Sequence, residues 1–297
     1  MDSVALDTFV AVHRAGGFSQ AAETLGRSQP AISRRIALLE EELGVPLFER
    51  AAGGVVLSQA GRELMPHALR ALAALKDAGE AVRALQASPA GPLSVAVVGT
   101  LAGADLTKVL RRFVKAWPSV KLTLSTGTSA EISTIVRRGD ATIGLRYHDD
   151  RSPDLALRQL RAERLVVVCA RGHRFAGKRV LDLGALRGEH WFAFPGADAW
   201  RDASAVNILA QFVTHGVGDI DWTPVDSLTA QKRLIEAGFG VALVPERAVR
   251  EELAAKTLNV IHVGGLSAAN PVVAITRKDG YLSAAARTLL DDLAASF

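Results

Sequence analysis

Arg34 and Ser33 are the side chains whose type and setting best suit the reading of a nucleic-acid base. A guanidinium can donate to the acceptors of a guanine or to a phosphate, and a serine hydroxyl can donate or accept. Such contacts require a face with little bulk around the reading groups. Pro30, Ser33, Arg34 and Ala37 provide one, because at 100° per residue they fall together on one side of a helix.

The elements that must position this face lie in Phe18 to Leu43, FSQAAETLGRSQPAISRRIALLEEEL. Ser19 is placed to cap a short helix with Ala21, Ala22 and Leu25 on its apolar side. Gly26 closes it, since glycine adopts the left-handed backbone of a C-cap at little cost. Ser28 or Gln29 opens a second helix with Pro30 in its first turn, where the missing N–H is tolerated. Ile32, Ile36, Leu39 and Leu43 stack on its core side, opposite Arg34. Glu40, Glu41 and Glu42 would repel phosphates, so the N-terminal half is the reading end. This is the geometry of a helix-turn-helix. Taken alone, the periodicity is also that of an ordinary amphipathic pair packed in a core. Residues 44 to 57, GVPLFERAAGGVVL, favour the first reading: they read as strand, glycine turn and return strand, a wing that carries Arg50 toward the DNA backbone or minor groove.

The string SQPAISRRIALLEEELGVPLFER, followed by LSQAG at Leu57 to Gly61, resembles the N-terminal domain of the LysR-type transcriptional regulators. The likeness is nearly continuous from Leu6 to Gly61; beyond it, only lengths and element order agree. It implies that Gln29, Pro30, Ser33, Arg34 and Arg50 contact double-stranded DNA, with Ser28 and Arg35 completing the set. Ala51 and Ala52 stand where many members carry basic or polar residues, which weakens the wing's grip on phosphate or redirects it to a different flank.

A chain of 297 residues suggests two or three folding units, and 49% hydrophobic residues give ample core material. Net charge is only +4. Within residues 1 to 59, five arginines face seven acidic side chains, leaving −2. Binding to DNA thus rests on where the arginines stand, not on bulk charge, and a single domain should bind weakly without a partner. The lone Cys169, inside the apolar run LVVVCA, excludes an intrachain disulfide and reads as a core residue in a reducing cytoplasm. Asp2 and Asp7, with no basic leader ahead of an apolar stretch, do not read as a secretory signal, and no run approaches the roughly 20 apolar residues of a membrane helix.

In chain order, Ser3 to Arg14 reads as a first helix. Ser58 caps a long one reaching about Gln86, in which Met65, Ala68, Leu72, Leu75, Gly79 and Val82 form an a/d seam and Pro66 marks a kink or a new start. That seam either pairs two chains or packs on its own domain; the resemblance points to a linker helix that pairs them. ASPAGP, Ala87 to Pro92, is a hinge. From Leu93 strands and helices alternate, which argues for an open α/β sheet. Strands are expected at 93–98, 120–125, 141–146, 165–170, 191–194, 222–225, 241–244 and 271–277. Helices are expected at 101–117, 130–138, 202–215, 228–237 and 283–295.

The fold class is therefore α/β multidomain: a winged helix-turn-helix over 1–58, a linker helix and hinge over 59–90, and an α/β domain over 91–297 that the resemblance implies is effector-binding. The resemblance implies that the last is two-lobed, like periplasmic binding proteins, with crossovers near 160–164 and 264–271. The first lobe is then 91–161 with 268–297, and the second 162–267.

Open α/β sheets bind ligands beyond the carboxyl ends of their strands, where helix N-termini favour anions. Thr100 and Leu101, Thr128 and Ser129, and Ser227 and Thr229 stand at three such junctions. Arg146 ends a strand where it can pair with a carboxylate, while Pro195 and Gly196 would wall the cleft from the second lobe. The hydroxyls also suit simple helix caps, and Arg146 also suits pairing with Asp149 or Asp150. HExxH, paired-cysteine, GxxxxGK[ST] and GxSxG motifs are absent, so no catalytic residues, metal or cofactor are expected.

These readings describe a cytoplasmic DNA-binding regulator of an interrupted palindrome, modulated by a small carboxylate or other anion. By resemblance it acts as a homodimer or homotetramer, with RNA polymerase a further candidate partner. A solute-binding protein and an α/β enzyme are the competing classes. Arg34→Ala should cost about 1–3 kcal/mol of specific binding and relax base preference, measured by competition between operator variants; unchanged selectivity would reduce Arg34 to a phosphate clamp.

Overall fold

The computed structural model describes residues 1–51, 54–85, 92–194, 212, 216, 220–266 and 268–296. The chain divides into two compact units, one carried by Met1–Ala87 and the other by most of the remainder.

The first unit opens with α1 (Ser3–Ala15), whose first turn is capped by Asp2: its Oδ1 accepts from Ala5 N at 2.7 Å. Helix α2 (Phe18–Leu25) starts one residue before the expected Ser19 cap; Gly17 holds the cap position and makes no side-chain bond there, so Ser19 lies inside the first turn. Gly26 ends α2 at φ 61°, as a left-handed C-cap should. Helix α3 (Gln29–Leu43) follows, with Ser28 at its N-cap and Pro30 near its start.

Ile32, Ile36 and Leu39 are buried, but Leu43 is 38% exposed. The core stripe stops a turn early because the helix ends there and Gly44 turns the chain, so that Leu47 fills the core instead. A hairpin follows, β1 (Phe48–Ala51) against β2 (Gly54–Leu57), antiparallel with Arg50 opposite Val55. The Phe48 ring packs on Phe9 at 5.3 Å and edge-on to Phe18 at 5.8 Å between centroids, tying the hairpin to α1 and α2.

Helix α4 (Gln59–Leu85) is capped by Ser58, whose hydroxyl accepts from Gly61 N at 3.0 Å and donates to Pro46 O at 2.6 Å. It runs on through Pro66. The seam read from its sequence divides. Met65 and Ala68 belong to the core of this unit and Leu72 packs against it, while Leu75 is 57% and Val82 60% exposed.

The second unit continues with β3 (Leu93–Val98), a 3-10 turn at Gly99–Leu101, α5 (Ala104–Ala116), β4 (Leu122–Gly127), α6 (Ser129–Arg137), β5 (Ile143–Tyr147) and β6 (Leu155–Gln159). The helix expected from Leu101 thus starts three residues later, and β6 was not anticipated. Then come β7 (Glu163–Ala170), β8 (Arg179–Val180), β9 (Trp191–Ala193), β10 (Trp222–Pro224), α7 (Leu228–Glu236), β11 (Ala242–Pro245), α8 (Arg250–Ala255), β12 (Leu258–Val263), β13 (Ala269–Asn270), β14 (Val272–Arg277) and α9 (Ala284–Ser296). Pro195 to Trp200 and all but Phe212 of the helix expected at 202–215 lie outside the described residues.

Among the described residues of this unit the strands form two five-stranded sheets and a small β9–β10 pair. The first sheet runs β4-β3-β5-β14-β6, with β3 parallel to β4 and β5 and β14 antiparallel to β5 and β6. Its core packs on both faces: Val95, Val97, Leu145, Phe113 and Leu289 on one, Ala96, Ile132, Val136 and Val273 on the other. That explains apolar runs such as LSVAVV, which do not alternate. The second sheet runs β11-β7-β12-β8, with β7 antiparallel to β11 and β12. Its β12 was also missed, because LNVIHV mixes polar residues into the run. The two connections between sheets pair with each other, Ala269 opposite Arg164 and Asn270 opposite Glu163.

Gly61 is a tight backbone approach in the first unit: a Cβ there would stand 2.2 Å from Leu47 O. Neither backbone can yield locally. Gly61→Ala should therefore destabilise the helix-turn-helix unit by roughly 1–3 kcal/mol, read as a lower urea midpoint; an unchanged midpoint would show that α4 can slide on the hairpin.

Candidate nucleic-acid interface and effector cleft

Three buried aliphatic side chains hold α3 in the first unit, and the opposite face is left to solvent. Ser28, Gln29, Pro30, Arg34, Arg35 and Ala37 are exposed and Ser33 is half-buried. Gln29 Nε2 donates to Ser33 Oγ at 2.8 Å, so one turn of the exposed face is ordered by its own side chains. Ser28 makes no side-chain capping bond. The N–H groups of the first turn point along the axis where a phosphate can accept from them. Arg35 leans toward Asp2 at 3.9 Å, and Arg50 stands exposed on β1.

Glu40 has a job that its sequence setting hides. Its Oε1 accepts from Leu47 N at 2.7 Å and Phe48 N at 3.3 Å, fixing the entry to the hairpin. Only Glu41 and Glu42 are left to solvent at that end of α3, and Glu42 pairs with the N-terminal ammonium. Nothing in the run EEE distinguishes its first member; the distinction comes from which side of the helix faces the returning chain.

In the second unit a cleft of about 240 Å³ opens beyond the end of β3. The first sheet contributes Gly99, Thr100, Leu101 and Gly103 to Asp105; Glu163 of β7 lies with them, and the second lobe supplies Leu228, Lys232, Arg247, Ala248, Arg250 and Glu251. Behind one wall, the buried Tyr147 donates its phenolic proton to Glu163 Oε2 at 2.6 Å. That proton is spent, so Thr100, 2.8 Å from the same oxygen, is the donor in their contact. Burial, and secondarily the neighbouring Glu163, push the Tyr147 phenol well above its ordinary range, and burial raises the Glu163 carboxyl too. Across the cleft, Asp105 meets Arg250 at 3.2 Å and Arg247 at 3.5 Å. Lys232 is held by Glu252 at 2.6 Å.

Of the residues expected to bind an effector, Thr100 and Leu101 line this cleft; among its described lining are none of Thr128, Ser129, Arg146, Ser227 and Thr229. Thr128 forms the expected capping box: its N–H donates to Glu131 Oε2 at 2.7 Å, and Glu131 N donates to Thr128 Oγ1 at 3.3 Å. Ser129 is buried, and its hydroxyl has no hydrogen-bond partner. Arg146 is buried and bonded to Tyr147 O, Ser133 Oγ and Asp150, the last at 2.9 Å. That is the carboxylate pairing the sequence also allowed. Ser227 caps α7 by accepting from Ala230 N at 3.3 Å, and Thr229 is exposed. Pro195 and Gly196 lie outside the described residues.

Tyr147, Glu163, Asp105, Arg247 and Arg250 went unread. A signal existed for the arginines: they follow the carboxyl end of β11, the kind of junction that drew attention to Thr100. None existed for Glu163, whose strand begins two residues earlier than its apolar run suggests.

Cys169 is buried in β7, and burial pushes its thiol up to about 11, so it is protonated and a poor nucleophile at neutral pH. Among the described residues no group of three or more His, Cys, Asp or Glu could hold a metal, and no helix is long and apolar enough to cross a membrane.

Residues 4–62 match the family described as bacterial regulatory helix-turn-helix protein, lysR family, and residues 86–297 match the LysR substrate binding domain. The chain is 29% identical to the HTH-type transcriptional regulator CbbR of Rhodospirillum rubrum, over 98% of its own length and 95% of that protein. It is 33% identical to IlvR of Caulobacter vibrioides over 80% of each. CbnR, solved as a LysR family transcriptional regulator, superposes on 100% of this chain and 99% of its own with a TM-score of 0.68 at 26% identity. The same regulator in complex with its target DNA gives 0.66.

Fold and exposed helix together define a winged helix-turn-helix regulator joined to a two-sheet ligand-binding unit. The chain belongs to the LysR family and is a DNA-binding transcriptional regulator with an effector-binding domain. The relatives are named as regulators of transcription.

Glu163 offers a pH test. Because its folded value is raised, the ionised form is disfavoured in the native state; the stability it contributes in acid is lost as pH rises from the ordinary carboxylate range through the raised value. Glu163→Gln keeps an acceptor for Tyr147 and removes that loss. Its melting temperature should gain on the wild type as pH rises through this window; parallel curves for both proteins would show that Glu163 does not titrate there.

Proposed function

We propose that paired winged helix-turn-helix units of this regulator bind the two half-sites of an interrupted palindrome on double-stranded DNA. A small metabolite carrying a carboxylate or similar anion, held in the cleft of the second unit, changes whether transcription proceeds. The observation that carries the DNA-reading half is the exposed α3 face, with Arg34 standing opposite a buried apolar stripe. The effector half is supported by the cleft beyond β3, which Thr100 and two arginines of the second lobe line together. The boundaries that fit this division are 1–58 for the DNA-binding domain, 59–90 for linker helix and hinge, and 91–297 for the effector domain.

The protein works in the cytoplasm, as a regulator and not a catalyst, with RNA polymerase as the further partner through which it acts. The competing readings, a solute-binding protein and an α/β enzyme, give no role to the ordered Gln29–Ser33 face. The acidic balance of residues 1–59 favours a homodimer or homotetramer, because two weak half-site contacts must be summed.

The partner-facing seam is narrower than sequence periodicity suggests. Leu72 packs on its own unit, whereas Leu75 and Val82 are exposed on α4. Leu75→Glu should therefore break pairing without unfolding the domain. It should give a smaller mass by light scattering and weaker, still salt-dependent, binding to a two-half-site duplex. An unaltered mass and affinity would move the subunit contact elsewhere, and binding indifferent to salt and sequence would sink the regulatory reading of α3.

A further inference from the structure

The cleft holds an anion already, and it is part of the protein. Asp105 stands in the first turn of α5, on the first lobe, with one carboxylate oxygen 3.2 Å from Arg250 and the other 3.5 Å from Arg247, both on the second lobe. Two guanidiniums converging on a single carboxylate are the usual receptor for a carboxylate ligand. The resident is removable. Asp105 is partly solvent-exposed, and Lys108, one turn along α5 at 3.9 Å, offers a substitute partner on its own helix. Lys232, by contrast, is committed to Glu252 and to Ala248 O.

We infer that Asp105 is an internal competitor for the effector: its carboxylate occupies the Arg247–Arg250 receptor until the carboxylate of a small acid takes its place. The inference rests on the reading that the effector enters this cleft. Charge balance requires an exchange and not an addition. Glu163 lines the same cleft as both arginines and Asp105. A third carboxylate beside those two would set three anions against the two guanidiniums in a half-buried site, because the Lys108 ammonium stands out in solvent and is screened there; that costs more than one ion pair returns. Exchange keeps the ledger even. It also breaks the Asp105 tie between the lobes and replaces it with a ligand that touches the Arg247–Arg250 side and the Gly99–Leu101 turn together. The free acid group therefore sets specificity at one end of the ligand, and Thr100 at the other.

The test is isothermal titration of the full chain with acetate, succinate, benzoate and glutamate, each beside its uncharged amide. At least one acid should bind while its amide does not. Asp105→Asn should tighten that acid about fivefold, the worth of one partly exposed ion pair, and Arg247→Gln should abolish it. Asp105→Ala, which puts the strongest helix former in the first turn, serves as a second variant should the first fail to fold. An acid that binds both aspartate variants no more tightly than the wild type, or that still binds Arg247→Gln, overturns the inference; if Thr100→Val nonetheless weakens that acid, the cleft reading survives. If only amides bind, or nothing binds even to Asp105→Asn, the inference and the acidic-effector reading fall together.

Discussion

Burial of Ile32, Ile36 and Leu39 along one side of α3 is the constraint on which the setting of that helix depends. Each aliphatic side chain taken fully from water stabilises by roughly 1.5–3 kcal/mol, against about 1 kcal/mol or less for an exposed ion pair such as Arg35 with Asp2. The apolar stripe therefore sets the rotation of the helix, and the charged residues accept what it dictates. A slip of one residue would turn Arg34 through about 100° and out of its place opposite the apolar stripe. Glu40 adds a second restraint. By accepting from Leu47 and Phe48 it fixes the hairpin's start against the same helix, so Arg50 is positioned by α3 through a buried-side contact.

In the second unit the corresponding constraint is the double crossover. Strand β7 pairs with β11 and β12 in its own sheet and, at its first residues, with β13 on the return path. Two chain passages hydrogen-bonded to each other place Glu163 beside Tyr147 of the first sheet, and the Thr100–Tyr147–Glu163 chain follows from that. The cleft is thus lined at Thr100 and Glu163 by the two ends of a hydrogen-bonded chain whose hydroxyl protons are already committed, and it is bridged by Asp105 with the two arginines. Its character is balanced charge rather than plain positive potential. Helix N-termini by themselves would have suggested the latter.

Where local chemistry decides, the sequence was readable. Gly26 and Gly44 end helices because their backbones turn left-handed, Ser58 caps α4, and Thr128 with Glu131 forms a reciprocal cap. Misreadings arose where a neighbour distant in sequence took over. Leu43 has the right period for the core, but Leu47 arrives first. The a/d stripe of α4 is continuous in sequence and yet serves its own unit as far as Leu72. Arg146 suited either a ligand or an aspartate, and Asp150 holds it. Strands β6 and β12 escaped notice because one is largely exposed and the other carries polar residues among its apolar ones.

By itself the amino-acid order determined the helix-turn-helix, its hairpin, the long helix and the α/β class, because those follow from periodicity, caps and turns that act within a few residues of one another. It determined the family too, through the string from Ser28 to Gly61. The tertiary structure alone decided which charges meet. Asp105 and Arg250 are 145 residues apart, and no local rule pairs them. The same holds for Glu163 with Tyr147, where a strand's first residue is drawn under a wall built by another sheet. Ion pairs and buried hydrogen bonds of this kind depend on the angle at which packed layers bring loops together, and that angle is a property of the whole core rather than of any segment in it.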